Sequence, residues 1–184
     1  MDRYFNLGGH CFPITTHSNE AQTWFDRGLL WTYGYNHEEA VKCFERAIDA
    51  DPKCAMAHGG AGYAAGPNYN MPWDLFDDAG RAVAARAGYA HASKALDLID
   101  SVTGWEAALI QALPARHPQP DPLEPEAMKA WDADFADAMR NGFAAHPESN
   151  EVRTVFAEAL LNLTPWKMWD LPSGKPAAGA RTVE

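Results

Sequence analysis

His37 is followed at once by Glu38 at a predicted helix start, which sets an imidazole beside a carboxylate, the combination that general acid–base chemistry uses near neutral pH. Tyr33, Tyr35 and Tyr69 are phenols able to pass on a proton, and Asn68, Asn70, Trp73 and Trp166 supply amide and indole groups of the kind that orient polar ligands. A small-molecule or enzymatic site would centre on His37, Tyr69, Asn70 and Trp73. No nucleophile motif accompanies them. There is no Gly-x-Ser-x-Gly, no phosphate-cradling glycine loop and no dinucleotide fingerprint, so no catalytic residue is assigned and no cofactor is expected. The same residues also have a purely structural reading. Asn68 and Asn70 in tight turns would bond their own backbone, Pro67 and Pro72 would stiffen a loop, and Trp73 would plug a gap. Glu38 and Glu39 beside His37 would offset the positive end of a helix dipole. Both readings stay open at this level.

Metal binding is the other chemistry to weigh. Cys54 and His58 stand four residues apart on one predicted helix face, with His10, Cys11, His17, His37 and Cys43 nearby in the sequence. A Cys-x-x-Cys pair and a His-Glu-x-x-His pair are both missing, and small thiols suit tightly packed helices, so no metal site is assigned. Three cysteines are an odd count, with two of them in predicted helices, which fits free thiols in a reducing compartment better than a disulfide framework.

Composition bounds the partners. With 184 residues, 47% of them hydrophobic, the chain can bury a core without staples. Asp plus Glu outnumber Lys plus Arg by 25 to 15, and this net charge of -10 disfavours nucleic acid and anionic lipid. No apolar run approaches the roughly 20 residues that span a bilayer, and Met1 to Cys11 has no basic flank followed by an apolar run. A cytoplasmic protein with no membrane partner is expected.

The elements that must position these side chains are helices. Residues 1–17 mix Gly, Pro, Thr and aromatics without periodicity and read as an arm that packs through Tyr4, Phe5, Leu7 and Phe12. Ser18 caps a helix over Asn19 to Tyr33, in which Gly28 leaves a gap among bulky neighbours, and Gly34 ends it. Glu38 to Ala50 returns as an amphipathic helix with Ala40, Val41, Phe44, Ala47 and Ile48 on one stripe, stopped at Asp51-Pro52. Further helices are predicted over Lys53 to Ala65, around Ala85, Tyr89 and Ala92, over Thr103 to Leu113 with the capping box Thr103-x-x-Glu106, over Glu126 to Ala145, and over Asn150 to Leu163. A proline-laden link joins Pro114 to Pro125, and a Gly/Pro/Ala tail from Pro172, within a C-terminal segment 164–184, is expected to be disordered.

Trp24, Gly28, Trp31, Ala40, Phe44, Ala47 and Pro52 fall at the spacings of a helix-turn-helix unit, and the stretch resembles a tetratricopeptide repeat of about 34 residues. Gly62 and Ala65 repeat the places of Gly28 and Trp31, while the second helix of that unit arrives late by about 11 residues, the length of an insertion over 66–76. Trp24 to Leu29, Tyr35 to Ala40, Cys54 to Ala57 and Gly66 to Asn70 more narrowly resemble a group of longer bacterial and fungal tetratricopeptide proteins. The resemblance implies an all-α right-handed superhelix over 18–163, of about three and a half helix pairs, that serves as a scaffold for a protein or peptide. It also favours reading the chain as a shortened form of a longer array, with the other readings of the last helix left open. Family members that clamp a C-terminal carboxylate present Lys and Asn where this chain has Phe25 and Leu29, so that clamp is missing.

Stacked units would bring the turns to one edge at intervals of roughly 10 Å. That edge would collect Tyr35 and His37, then Asn68, Tyr69, Asn70 and Trp73, then Arg116 and His117, then Trp166, Lys167 and Trp169. The ligand-binding set expected there is Tyr33, Tyr35, His37, Asn68, Tyr69, Asn70, Trp73 and Trp166. Val152, Val155, Phe156, Leu160, Leu161 and Leu163 on the last helix must fold onto earlier helices, pair with a second copy of the chain, or meet further repeats.

Overall fold

Ser18 accepts a hydrogen bond from the Ala21 amide and starts helix α1, Asn19–Tyr33. In this computed structural model, which describes residues 4–180, six further α-helices follow. They are α2 (His37–Ala50), α3 (Ala55–Ala65), α4 (Asp78–Asp97), α5 (Gly104–Arg116), α6 (Pro125–Ala145) and α7 (Asn150–Leu161). Local chemistry explains most starts. Asn36, Asp77 and Ser149 cap α2, α4 and α7, and Thr103 with Glu106 forms the reciprocal capping box of α5.

Each helix packs on the next in the chain, and α1, α3, α5 and α7 also touch one another in turn. Small residues permit the close approaches. A Cβ at Gly28 would lie 2.7 Å, and one at Gly60 2.6 Å, from the Phe44 ring, so the ring of α2 is held between glycines of α1 and α3. Phe25, Phe44, Ala47 and Ala57 lie in the first core, while Phe135, Met139, Val152 and Phe156 lie in the second, between α6 and α7. The apolar face of α7 is therefore largely covered within the chain itself. Trp166, Trp169 and Leu171 remain exposed.

The arm is tied down by polar groups as well as by rings. The Thr15 amide and hydroxyl both donate to the fully buried Glu106, whose carboxylate also serves the capping box. Phe12 lies against Phe25 and Trp105, and the Trp31 indole donates to the Tyr4 hydroxyl at 2.7 Å. Residues 1–3 of the arm lie outside the described residues.

Three expectations need correction. Helix α5 continues through Pro114 to Arg116 instead of ending at Leu113. A proline forfeits one backbone bond, but burial of Leu113 and Arg116 beyond it holds the helix together. The tail from Pro172, expected to be disordered, supplies the second strand of a hairpin of β1 (Trp169–Asp170) and β2 (Lys175–Pro176), so the fold is helical with one small β element. Gly174, at φ +66°, makes that turn, and Asp170 accepts from the Ser173 amide. Residues 181–184 of the tail lie outside the described residues. The last helix ends at Leu161, two residues before Leu163. Among the described residues, no helix is long and apolar enough to cross a membrane.

Candidate functional site

The C-terminus of α1 and the turn into α2 supply the first wall of the site. The Tyr35 amide bonds the Thr32 carbonyl and the Asn36 amide bonds the Trp31 carbonyl, a Schellman ending whose left-handed position glycine normally takes. Here Tyr35 takes it, at φ 57°. A bulky side chain in that region costs about 1 kcal/mol or more, so the ring is held out from the turn against a local backbone preference. His37 follows at the start of α2, where its Nδ1–H donates to the Ala64 carbonyl at 3.2 Å and leaves Nε2 as the ring's acceptor.

Tyr33, Tyr35, His37 and Tyr63 face Thr154, Val155, Glu158 and Leu161 of α7 across a cleft of about 320 Å³. The Tyr63 hydroxyl donates to Glu158, joining α3 to α7, and the second Glu158 oxygen accepts from the Asn162 amide at 3.0 Å. Thr32, Tyr33, Tyr63 and Val155 also border a smaller chamber of about 70 Å³, whose lining includes Phe25, Leu29, Phe44, Met56, Ile110 and Phe135. A cleft with hydroxyl, imidazole and carboxylate groups on a mostly apolar wall thus adjoins an apolar chamber, an arrangement suited to an amphipathic guest.

A buried polar cluster stands beside the cleft. Arg116, 1% exposed, lays its guanidinium 4.5 Å from the Tyr63 ring centroid and 4.9 Å from that of Phe135, with Nη2 donating to the Pro67 carbonyl. Among the described residues, its Nε and Nη1 have no hydrogen-bond partner. His117 donates through Nε2 to the Gly62 carbonyl at 2.9 Å and is wedged against Gly88, where a Cβ would sit 2.3 Å from the imidazole. Burial and the adjacent Arg116 push its pKa down to about 3, so it is neutral at pH 7. Asp132 of α6 shows the opposite effect. Burial raises its pKa to about 7, while Arg116 and the Trp73 indole pull it down and Glu158 pushes it up.

The cleft groups respond to the same surroundings. Burial, then Arg116, lowers the His37 pKa, with Glu158 and the Ala64 hydrogen bond opposing, which favours the neutral ring. Burial raises the phenol pKa of Tyr33, with Glu151 adding to it. It likewise raises those of Tyr35 and Tyr63, with Glu158 the next cause in both.

Of the residues expected from sequence to form a site, Tyr33, Tyr35 and His37 share the cleft wall. Tyr69 and Trp166 meet nearby with ring centroids 5.6 Å apart, and Tyr69 is close enough to Tyr35 to affect its ionisation. The Tyr35 and Tyr69 turns therefore share one rim. Trp166, like Tyr35, is a non-glycine residue at positive φ, here 63°.

Asn68 and Trp73 belong to the framework instead. The Asn68 side chain accepts from the Asn70 and Met71 amides, closing a tight turn, and Trp73 is buried against Phe76 and Trp131. Asn70 is exposed and enters that turn through its backbone. Cys54 and His58 have separate partners, the Thr15 and Pro52 carbonyls, and among the described residues no group of three or more His, Cys, Asp or Glu is placed to hold a metal.

Sequence reasoning missed Tyr63, Asp132, Glu158 and Asn162. Two signals were available: Tyr63 is the one phenol of helix α3, which is otherwise mostly Ala and Gly, and Glu158 interrupts the apolar run of α7. No family model matches the chain, and no match is found among curated proteins or solved structures.

Proposed function

We propose that the chain is a ligand-binding helical domain whose cleft, between the α1–α2 turn, Tyr63 and α7, takes a small amphipathic molecule. The observation that carries this reading is the Tyr63–Glu158 bond across the cleft, which closes the α3 face against α7 and leaves a space of about 320 Å³. Such a volume fits a small ligand or a single large side chain better than a helical peptide. Neutral His37, the phenols and the Glu158 carboxylate supply hydrogen bonds at the mouth. The rings of Phe25 and Phe135 supply apolar burial beyond it.

The test is a thermal-stability screen of a metabolite library against the wild-type chain and His37→Ala. A compound that raises the wild-type melting temperature but not that of the variant supports the reading. A library that stabilises neither protein, or both equally, defeats it.

A second reading is protein or peptide binding on a tetratricopeptide-like right-handed superhelix, with a second copy of the chain as one candidate partner. The sequential helix contacts and the exposed Trp166, Trp169 and Leu171 beyond α7 favour it. Partner capture that is lost on Trp166→Ala but kept on His37→Ala would select this reading over the first.

A further inference from the structure

The wall chemistry of the cleft narrows the class of small molecule, on the premise that the cleft is the binding site proposed above. Three phenol rings, Tyr33, Tyr35 and Tyr63, line it together with the Glu158 carboxylate, and Glu151 lines the adjoining chamber beside Tyr33. Among the described residues, no Lys or Arg side chain lines either space. Arg116 is the nearby positive charge, but it is stacked on the Tyr63 ring at 1% exposure, with Nη2 turned to the Pro67 carbonyl, and is not part of either wall. Both hydrogen bonds to Glu158 come from neutral donors, the Tyr63 hydroxyl and the Asn162 amide. A carboxylate has about four lone-pair positions, so Glu158 keeps capacity to accept from a ligand.

Aromatic faces attract cations through their quadrupole, and the attraction grows where water is displaced. Two carboxylates make the walls themselves acidic, while Arg116, behind the Tyr63 ring, opposes Glu158 at His37, which burial and that guanidinium hold neutral. An anionic ligand would meet Glu158 and Glu151 without a wall cation to balance it. A neutral ligand would leave the field unused. We infer that the cleft selects an organic cation, an alkylammonium group seated among Tyr33, Tyr35, Tyr63 and Glu158 with a short apolar body directed toward Phe25 and Leu29.

The test uses calorimetry on the full chain with ammonium ions from choline to butyltrimethylammonium, the neutral carbon isostere 3,3-dimethylbutan-1-ol, butanoate and a methyl glycoside. The ammonium ions are expected to bind about tenfold or more tighter than the isostere, with butanoate weaker still. Glu158→Gln, which keeps a hydrogen-bonding group of the same shape, and Tyr35→Leu should each weaken the cation about tenfold and leave the isostere unchanged. Rising salt should weaken the cation alone. Equal binding of cation and isostere, or a Glu158→Gln protein that binds the cation as tightly as wild type, overturns the inference. If every ammonium ion fails while the glycoside or another neutral compound binds in a His37-dependent way, the cation assignment falls and the small-ligand reading stands. If no compound binds, both fall.

Discussion

The Tyr63 hydroxyl of α3 donates to the Glu158 carboxylate of α7, across 95 residues of sequence, and this bond bridges the two walls of the cleft. Tyr63→Phe removes the donor and leaves Glu158 with the Asn162 amide. A loss of about 1–3 kcal/mol in unfolding free energy is expected, measured by urea titration, since a hydrogen bond to a charged acceptor is being deleted. Amide hydrogen exchange should accelerate in α7 more than in α1 and α2, because α7 loses a tie to α3. Uniform exchange rates in both proteins would mean that the bond does not hold the cleft shut.

Tyr35→Gly separates stability from function. Glycine fits the left-handed backbone at φ 57° without steric cost, so the relaxed turn offsets glycine's unfolded-state entropy and the variant is expected to be as stable as wild type or up to about 1 kcal/mol more stable. Ligand affinity should fall, because a ring that lines the cleft is gone. A melting temperature that drops by several degrees would show that the Tyr35 ring contributes mainly packing.

Asp132 and His117 set opposing pH dependences. With a folded pKa of about 7, Asp132 retains its proton after the unfolded chain has released it, so its contribution to stability is full below the unfolded carboxyl pKa and is lost as pH rises toward 7. His117, with a folded pKa of about 3, contributes stability above the unfolded imidazole pKa that is lost as pH falls. Between about pH 4 and pH 6.5 the two slopes oppose each other. Asp132→Asn removes one of them, so chemical denaturation should show stability rising with pH across that window more steeply than in wild type, and a more stable variant at pH 8. Parallel profiles for the two proteins would place the Asp132 pKa near its ordinary value.

Gly88→Ala tests how firmly the buried cluster is packed. The added Cβ would meet the His117 imidazole at 2.3 Å, and that ring is fixed by its bond to the Gly62 carbonyl. Destabilisation of about 1–3 kcal/mol is expected from overpacking, read as a lower melting temperature. An unchanged melting temperature would show that the imidazole has room to move.

Several elements were legible because their causes are local. Ser18, Gly34 and the Thr103–Glu106 box mark helix ends through bonds made within a few residues, and the spacing of Gly28 and Phe44 anticipates a ring held in a gap. The rim was legible in part. Tyr33, Tyr35 and His37 enter the cleft because the turn between α1 and α2 carries all three, whereas Asn68 and Trp73, equally rich in chemistry, are consumed by a turn and by a core. Loop composition alone does not separate these outcomes, since a polar or aromatic side chain serves either use.

The sequence by itself determined where α1, α5 and α7 start, which faces are apolar and which residue types reach the turns, because capping and periodicity act over one or two helical turns. Only the tertiary structure decided that α5 runs on to bury Arg116, that Glu158 meets Tyr63, and that Asp132 loses its solvent. Those outcomes depend on burial and on partners far away in the chain, and neither is encoded in the spacing of neighbouring residues.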